Sequence, residues 1–219
     1  MYNVIFQVQP SLSGHQTYLD TAKILRPQLD TIHGFISVER FRSLEREPWI
    51  LSLSKWADEA SLVKWRTMPA HCGAQKLGRN GVFDDYRLRV AQVVLHARPG
   101  QAEWIPERRT PYRIAQGPAR FASVLEIGGA DRSVLQSDRH AVDSEWYESL
   151  ATPGKFVWVI GWQDETAARR WHVATRAMLD TMPDAAFELS LVEVERDYGL
   201  YPRDEAPQFF PPSARREIL

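Results

Sequence analysis

The sequence predicts an α+β protein built from two ferredoxin-like units in one chain. Residues 1–97 carry strand and helix patterns in the order β-α-β-β-α-β, which is the split βαβ arrangement. Residues 39–65 also align without a gap on residues 145–171, at a constant offset of 106 positions that keeps two tryptophans in register. A repeat of this length indicates duplication of a whole domain and not a solenoid.

The first unit opens with a strand over residues 2–9, where β-branched and aromatic residues precede a proline. Apolar residues three or four positions apart predict a helix over residues 15–33. Pro27 lies inside this pattern and is expected to kink or split the helix, because proline cannot donate a backbone hydrogen bond. Alternating patterns then predict strands over residues 35–44 and 49–56.

A second helical region follows the third strand. Asp58 is a candidate N-cap or first-turn acid for a helix that begins near Glu59. Pro69 is placed to start a second helical piece, as the first residue inside that piece. Residues 86–97 complete the unit as its last strand.

The remaining chain predicts a connector, a second unit and a tail. Residues 98–119 contain four prolines and two glycines, a composition typical of a connector. The second unit covers residues 120–200, with strands from Phe121 onward and over 187–195. It is shorter than the first by about a dozen residues before the shared tryptophan, so its first helix is expected to be reduced. Residues 201–219 form a Pro-rich tail expected to cover a surface or reach a neighbour.

Composition narrows the class of protein. A formal net charge of −1 over 219 residues argues against a nucleic-acid or anionic-membrane partner. The single cysteine, Cys72, excludes an intrachain disulfide and an all-cysteine metal site. No segment approaches the roughly 18 apolar residues of a membrane helix, so a cytoplasmic protein is expected. The histidines show no metal-binding spacing, and no metal is predicted.

Several segments resemble the antibiotic biosynthesis monooxygenase family. They are GFISVERFRSL at 34–44, ILSLSKWADEASLVKWR at 50–66, His71, Ala74-Gln75, Gly78-Arg79, Val82-Phe83 and DYRLRVAQV at 85–93. A further segment, ERDYGLYPRDEAP at 195–207, resembles the end of such a domain. The resemblance covers nearly all of the first unit and, more weakly, the later two thirds of the second.

The resemblance implies a dimeric α/β barrel, which family members usually form as homodimers. Here two units in one chain can supply both halves as an intrachain pseudo-dimer, since fusion gives a high effective concentration. A further homodimer is left open. The family's better-known activity is oxidation of polycyclic phenols to quinones by dioxygen without metal, flavin or haem. We therefore predict a cofactor-independent monooxygenase that acts on a flat phenolic or polyketide-like small molecule.

The resemblance also supplies four candidate catalytic residues, each with a structural alternative. Trp65 matches the helix tryptophan that lines the cavity in some members; the alternative is core packing. His71 is a candidate base or proton relay, or else a histidine bonded at a helix end. Arg79 could hold an anionic oxygen of the substrate, or instead cap a helix or pair with a neighbouring aspartate. Tyr86 could pass a proton, or simply pack.

Four more residues are candidates for substrate binding. Ser61 stands where the quinone-forming members carry an asparagine, and a hydroxyl cannot offer the paired donor and acceptor of an amide. Trp171 repeats Trp65 in the second unit, with His172 beside it and Arg176 one turn further on. Because His71 and His172 are not equivalent at the 106 offset, a site built from them would be asymmetric, and the first unit is the better candidate.

Two other functions are consistent with the sequence. A haem-binding or haem-degrading protein would use an asparagine on the first strand, a tryptophan and a histidine, for which Asn3, Trp65 and His71 are the right residue types. A non-enzymatic barrel that binds a small molecule is favoured by Ser61 and by the divergence of the second unit.

Overall fold

The computed structural model describes residues 1–107 and 117–206. The middle of the predicted connector and the predicted tail beyond residue 206 lie outside the described residues. The helices are α1 (Gly14–Asp30), α2 (Glu59–Thr67), α3 (Pro69–Leu77) and α4 (Glu165–Leu179). The strands are β1 (Tyr2–Pro10), β2 (Phe35–Ser43), β3 (Ile50–Trp56), β4 (Phe83–Ala97), β5 (Phe121–Gly128), β6 (Ala141–Ser149), β7 (Lys155–Trp162) and β8 (Ala186–Gly199).

All eight of these strands form one closed antiparallel barrel, in the order β1-β3-β2-β6-β7-β5-β8-β4. The first four strands are contiguous in the barrel and so are the last four. The two groups meet at two seams, β2–β6 and β4–β8. The α+β class predicted from the sequence is therefore confirmed.

The barrel interior contains apolar side chains, among them Ile5, Phe41, Leu51, Val159 and Val192. Buried polar side chains such as Asn3, Gln7 and Arg89 lie there as well. Successive residues of a strand point to opposite faces, so the next residue along each strand faces outward, toward the helices. Helices α1, α2 and α3 cover the outer face of β1–β4. Helix α4 alone covers β5–β8.

The β2–β6 seam contains the same side-chain contact twice. Ser43 Oγ donates to Glu145 Oε1 over 2.6 Å, and Ser149 Oγ donates to Glu39 Oε1 over 2.5 Å. Glu39 is equivalent to Glu145, and Ser43 to Ser149, at the 106 offset of the sequence repeat. The seam thus has the reciprocal geometry of an isologous interface, in which residue i contacts j and j contacts i.

Pro27 does not split the first helix, so that part of the expectation was wrong. α1 is continuous from Gly14 to Asp30 with Pro27 inside it. Pro27 lies on the exposed side of the helix, where water can satisfy the carbonyl that loses its donor. No helix within residues 1–107 or 117–206 is long and apolar enough to cross a membrane.

Two strands are longer than predicted, because the start of β4 pairs with β1 and the end of β8 pairs with β4. β4 begins at Phe83, and β8 runs on to Gly199, which pairs with Arg87. Partner strands far away in sequence extend these ends, and no local pattern records that. By contrast, Asp58 caps α2 through Ser61 N at 2.8 Å, and Pro69 starts α3, as predicted.

The helix expected to be reduced in the second half is a single 3₁₀ turn, Arg132–Val134. It occupies the stretch between β5 and β6 where the first half has α1. The outer face of β5–β8 is therefore covered by fewer helices than that of β1–β4.

Candidate active site

A cavity of about 220 Å³ lies between the outer face of β1–β4 and helices α1, α2 and α3. Its floor consists of the outward residues of each strand, such as Val4 and Phe6 on β1 and Leu88 and Val90 on β4. Its walls are mostly aliphatic and aromatic. A concave site of apolar side chains with convergent polar groups is typical of small-molecule binding.

The cavity exists because α2 and α3 do not pack as one helix. The chain is extended at Met68, with ψ of 131°, so that α3 leaves the direction of α2. α3 has no fully buried residue. Because α3 buries no side chain completely, it covers the sheet without filling the space between the helix and the strands.

Trp65 and His71 form a stacked pair on the cavity wall. Their ring centroids are 4.3 Å apart and the rings are inclined by 18°. His71 Nδ1 lies 3.2 Å from the backbone oxygen of Trp65 and 3.1 Å from Gln75 Nε2. In the tautomer that donates Nδ1–H to the Trp65 carbonyl, Nε2 is an acceptor, and Gln75 Nε2 donates to the Arg66 carbonyl over 3.0 Å and not to His71.

Burial holds His71 in its neutral form. Loss of hydration lowers the pKa of its imidazole to about 4, against which the hydrogen bond to the Trp65 carbonyl acts only weakly. At neutral pH the ring is therefore uncharged, and Nε2 can accept a hydrogen bond from a bound molecule.

The cavity lining is strongly cationic. Among the described residues that line it, six are arginines and one, Glu59, carries a carboxylate. Four of these arginines contact or surround the phenol rings of Tyr86 and Tyr198, and we call them the arginine cluster: Arg66, Arg79, Arg196 and Arg203.

Tyr86 connects two members of the arginine cluster. Its hydroxyl accepts a hydrogen bond from Arg203 Nη1 and is also hydrogen-bonded to the Arg79 side chain. The Arg203 guanidinium also lies 5.8 Å from the centroid of the Tyr198 ring. Burial beside Tyr86 raises the pKa of Tyr198 to about 12, so this phenol stays protonated and can donate a hydrogen bond.

The structure brings together the four residues predicted to be catalytic. Trp65, His71, Arg79 and Tyr86 all line the cavity. Ser61 lies outside it and serves the helix start, where its Oγ donates to Asp58 Oδ1 over 2.8 Å.

The three candidates of the second half lie away from the cavity, on α4. Trp171 Nε1 donates to the carbonyl of Gln136 over 3.0 Å, and its ring packs among other buried tryptophans. His172 Nε2 lies 3.1 Å from Glu103 Oε1, and Arg176 donates to a connector carbonyl over 2.8 Å. These contacts hold the start of the connector against α4.

The trio expected for a haem site is not brought together. Asn3 is fully buried in the barrel interior, in register with Lys55 and Ala91. Trp65 and His71 lie on the other face of the same sheet. Within the described ranges, no group of three histidine, cysteine or acidic side chains is placed to hold a metal ion.

Sequence reasoning missed three members of the arginine cluster and Tyr198. A sequence pattern could have indicated Arg196 and Tyr198. They are two residues apart on a strand, so their side chains share a face. Both lie in the 195–207 segment that resembles the end of a family domain. Arg203 gave no local signal, since its place depends on how the chain turns back after β8.

His172 predicts a loss of stability in acid. Burial lowers its pKa to about 4, with Glu103 acting in the opposite direction. Between pH 6.5 and 4 the unfolded chain binds a proton that the folded protein does not, so the free energy of unfolding falls by about 2–3 kcal/mol across that window.

Urea unfolding at pH 7 and pH 4.5 measures this effect. We expect His172→Gln to show a smaller acid loss than the unmodified protein. The exposed His140 provides the control, since His140→Gln should leave the acid loss unchanged. If the free energy of unfolding fell equally between pH 7 and pH 4.5 in the His172 variant and in the unmodified protein, the pKa of His172 would not be lowered.

The fold defines an antiparallel α+β barrel protein with a cavity on one outer face. The family model described as antibiotic biosynthesis monooxygenase matches residues 1–77. A jasmonate monooxygenase of Pyricularia oryzae is 36% identical over 228 aligned positions, which cover 98% of this chain and all of the relative. The chain therefore belongs to the antibiotic biosynthesis monooxygenase family.

A solved structure shares the fold at greater distance. Aldoxime dehydratase, crystallised with butyraldoxime, superimposes with a TM-score of 0.54 over 88% of this chain and 79% of its own, at 10% identity. At that identity the likeness concerns the fold alone.

Proposed function

We propose that this protein is a monooxygenase that oxidises a small apolar molecule bound in the cavity between β1–β4 and α1–α3. The observation that carries the proposal is the neutral imidazole of His71, stacked on Trp65 in an otherwise apolar wall. Oxidation of a phenol by dioxygen begins with loss of the phenolic proton, and a neutral imidazole beside the bound substrate can accept that proton through a hydrogen bond. Membership in a monooxygenase family supports it.

The size of the cavity supports a compact substrate. About 220 Å³ is below the roughly 300–1,000 Å³ of pockets that hold drug-sized ligands. We propose a molecule of one or two rings, such as jasmonate, on which the relative from Pyricularia oryzae acts by its name. A flat phenol is the second candidate, favoured by the aromatic side chains of Phe6, Trp65 and Phe83 on the walls.

The roles of the cavity residues follow from their chemistry. His71 accepts the proton that the substrate loses, and Trp65 fixes the imidazole plane and forms an apolar wall. Arg79 and Tyr86 bind an oxygen atom of the substrate through charge-assisted and phenolic hydrogen bonds.

The electron balance of the reaction depends on the substrate. A phenol with an open para position supplies all four electrons, as in 1-naphthol + O2 → 1,4-naphthoquinone + H2O. Hydroxylation of a saturated carbon supplies two, so a reductant such as a reduced nicotinamide must supply the other two. We propose the first, cofactor-independent stoichiometry for phenols and the second, with an added reductant, for jasmonate.

We further propose that residues 1–97 and 120–200 are two ferredoxin-like units joined by residues 98–119, so that the barrel is an intrachain pseudo-dimer. Support comes from the sequence repeat and from the reciprocal contacts at the β2–β6 seam. The two units are unequal, since the proposed active site lies on the first and the second holds a closed core.

Oxygen consumption by metal-free, cofactor-stripped protein tests the proposed function. We expect uptake with 1-naphthol alone and with jasmonate plus reduced nicotinamide, together with one atom from ¹⁸O2 in each product by mass spectrometry. Arg170→Gln, on the exposed side of α4, should behave as the unmodified protein. Failure of both substrates to consume oxygen above a heat-denatured control would reject the proposal.

A further inference from the structure

Four of the arginines that line the cavity gather around the phenol rings of Tyr86 and Tyr198. The arginine cluster comes from three separate parts of the chain: Arg66 from α2, Arg79 from the turn after α3, and Arg196 and Arg203 from β8 and the turn that follows it. α1 and α2 contribute aliphatic side chains to the same cavity, among them Leu25, Leu29 and Leu62, while Arg26 on α1 is paired with Asp30. The cavity is thus amphipathic.

Neighbouring guanidinium groups in the cluster oppose each other. Burial and, to a smaller extent, the charge of Arg196 lower the pKa of Arg66. Burial lowers the pKa of Arg79, and the charge of Arg203 adds to this effect. Like charges brought together in a partly dry site are unfavourable, and an anion placed among them removes that cost.

Arg66 has a donor that none of the described residues satisfies. Its Nε is fully buried and has no hydrogen-bond partner among residues 1–107 and 117–206. A buried guanidinium N–H without an acceptor costs about 1–3 kcal/mol or more. Because Arg66 lines the cavity, an oxygen of a bound ligand can satisfy that donor.

We propose that the arginine cluster is a carboxylate subsite, so that the protein binds small apolar organic acids with the acid group at the cluster and the hydrocarbon part against α1 and α2. This inference rests on the proposed function for the cavity. Guanidinium groups match the two oxygens of a carboxylate in a planar, bidentate arrangement. The phenol of Tyr198 stays protonated and adds a further donor.

The subsite contains residues from both halves of the chain. Arg196 and Arg203 belong to the end of the chain, whereas the family model matches residues 1–77. The second half of the chain therefore completes the binding site of the first half, through the β4–β8 seam.

Calorimetric titration with 1-naphthylacetate and its methyl ester tests the subsite. The two probes share the ring system and differ in charge. We expect the acid to bind at least tenfold more tightly than the ester, and the difference to shrink as salt rises. In Arg66→Gln and in Arg196→Gln the acid should bind about 10- to 100-fold more weakly, while the ester is almost unaffected.

Arg170→Gln is the matched control, because it removes an arginine outside the cavity. Circular dichroism melting of each variant shows that a lost affinity is not lost folding. Equal affinity for acid and ester, or unchanged acid binding in both cluster variants, would overturn the carboxylate subsite.

Oxygen uptake measured on the same samples separates this inference from the proposed function. Acid preference that depends on the cluster, without any uptake, supports the subsite and rejects the monooxygenase. Uptake with 1-naphthol and with jasmonate, in a protein that does not distinguish acid from ester, supports the monooxygenase and rejects the subsite.

Discussion

Replacing Trp171 by alanine is expected to lower the free energy of unfolding by about 3–5 kcal/mol, because a large ring is removed from a closed core. Trp171 packs edge-on against Trp158 at 5.6 Å and lies 5.8 Å from Trp162. Leu179 and Phe187 close the same cluster. These neighbours are themselves buried and held by the rest of the cluster, so a cavity remains where the ring is removed.

The equivalent substitution in the first half, Trp65→Ala, should cost only about 2 kcal/mol. Trp65 borders an existing cavity and stacks on His71 on one side, so fewer contacts are lost. Urea unfolding at pH 7 measures both values. Trp104→Ala, in which a half-exposed ring is removed, serves as the control and should cost less than either. Equal losses for Trp65 and Trp171 would mean that the cavity closes in solution.

Trp65 and Trp171 show which features of the fold could be predicted from the sequence and which could not. The two occupy equivalent positions of the repeat, and each lies on a helix that follows an aspartate cap. Helical spacing and strand alternation are local patterns, so the order of elements and the repeat could be predicted. Whether the space beside each ring is open or filled depends on the break at Met68 and on the connector, which local patterns do not record.

The arginine cluster shows the same limit. The resemblance located Trp65, His71, Arg79 and Tyr86, which are close together in the sequence and lie on one unit. Arg196 and Arg203 join them only because β8 pairs with β4. The strand register that brings them there is set by the closed barrel as a whole.

Replacing His71 by alanine is expected to lower kcat of the proposed oxidation by about 10²- to 10⁴-fold, the usual contribution of a positioned proton acceptor. His71 is neutral above its pKa of about 4. For the unmodified protein kcat/KM should therefore stay constant from pH 7 to 5 and fall only near pH 4. An ordinary histidine would lose activity below about pH 6.5.

The pH dependence of oxygen uptake with 1-naphthol measures this acidic decline of kcat/KM, which we call the acidic limb. Initial rates must be measured before the protein unfolds in acid. His71 and His172 are buried in the neutral form, so the free energy of unfolding falls over the same pH range as the unfolded chain binds protons. His33→Ala removes an exposed histidine beyond the cavity and should keep both the rate and the profile. A limb near pH 6.5 that persists in His71→Ala would assign proton transfer to another group. Ordinary carboxyl groups also titrate near pH 4, so the position of the decline does not assign it. A decline near pH 4 that disappears in His71→Ala would instead identify the His71 imidazole as the acceptor.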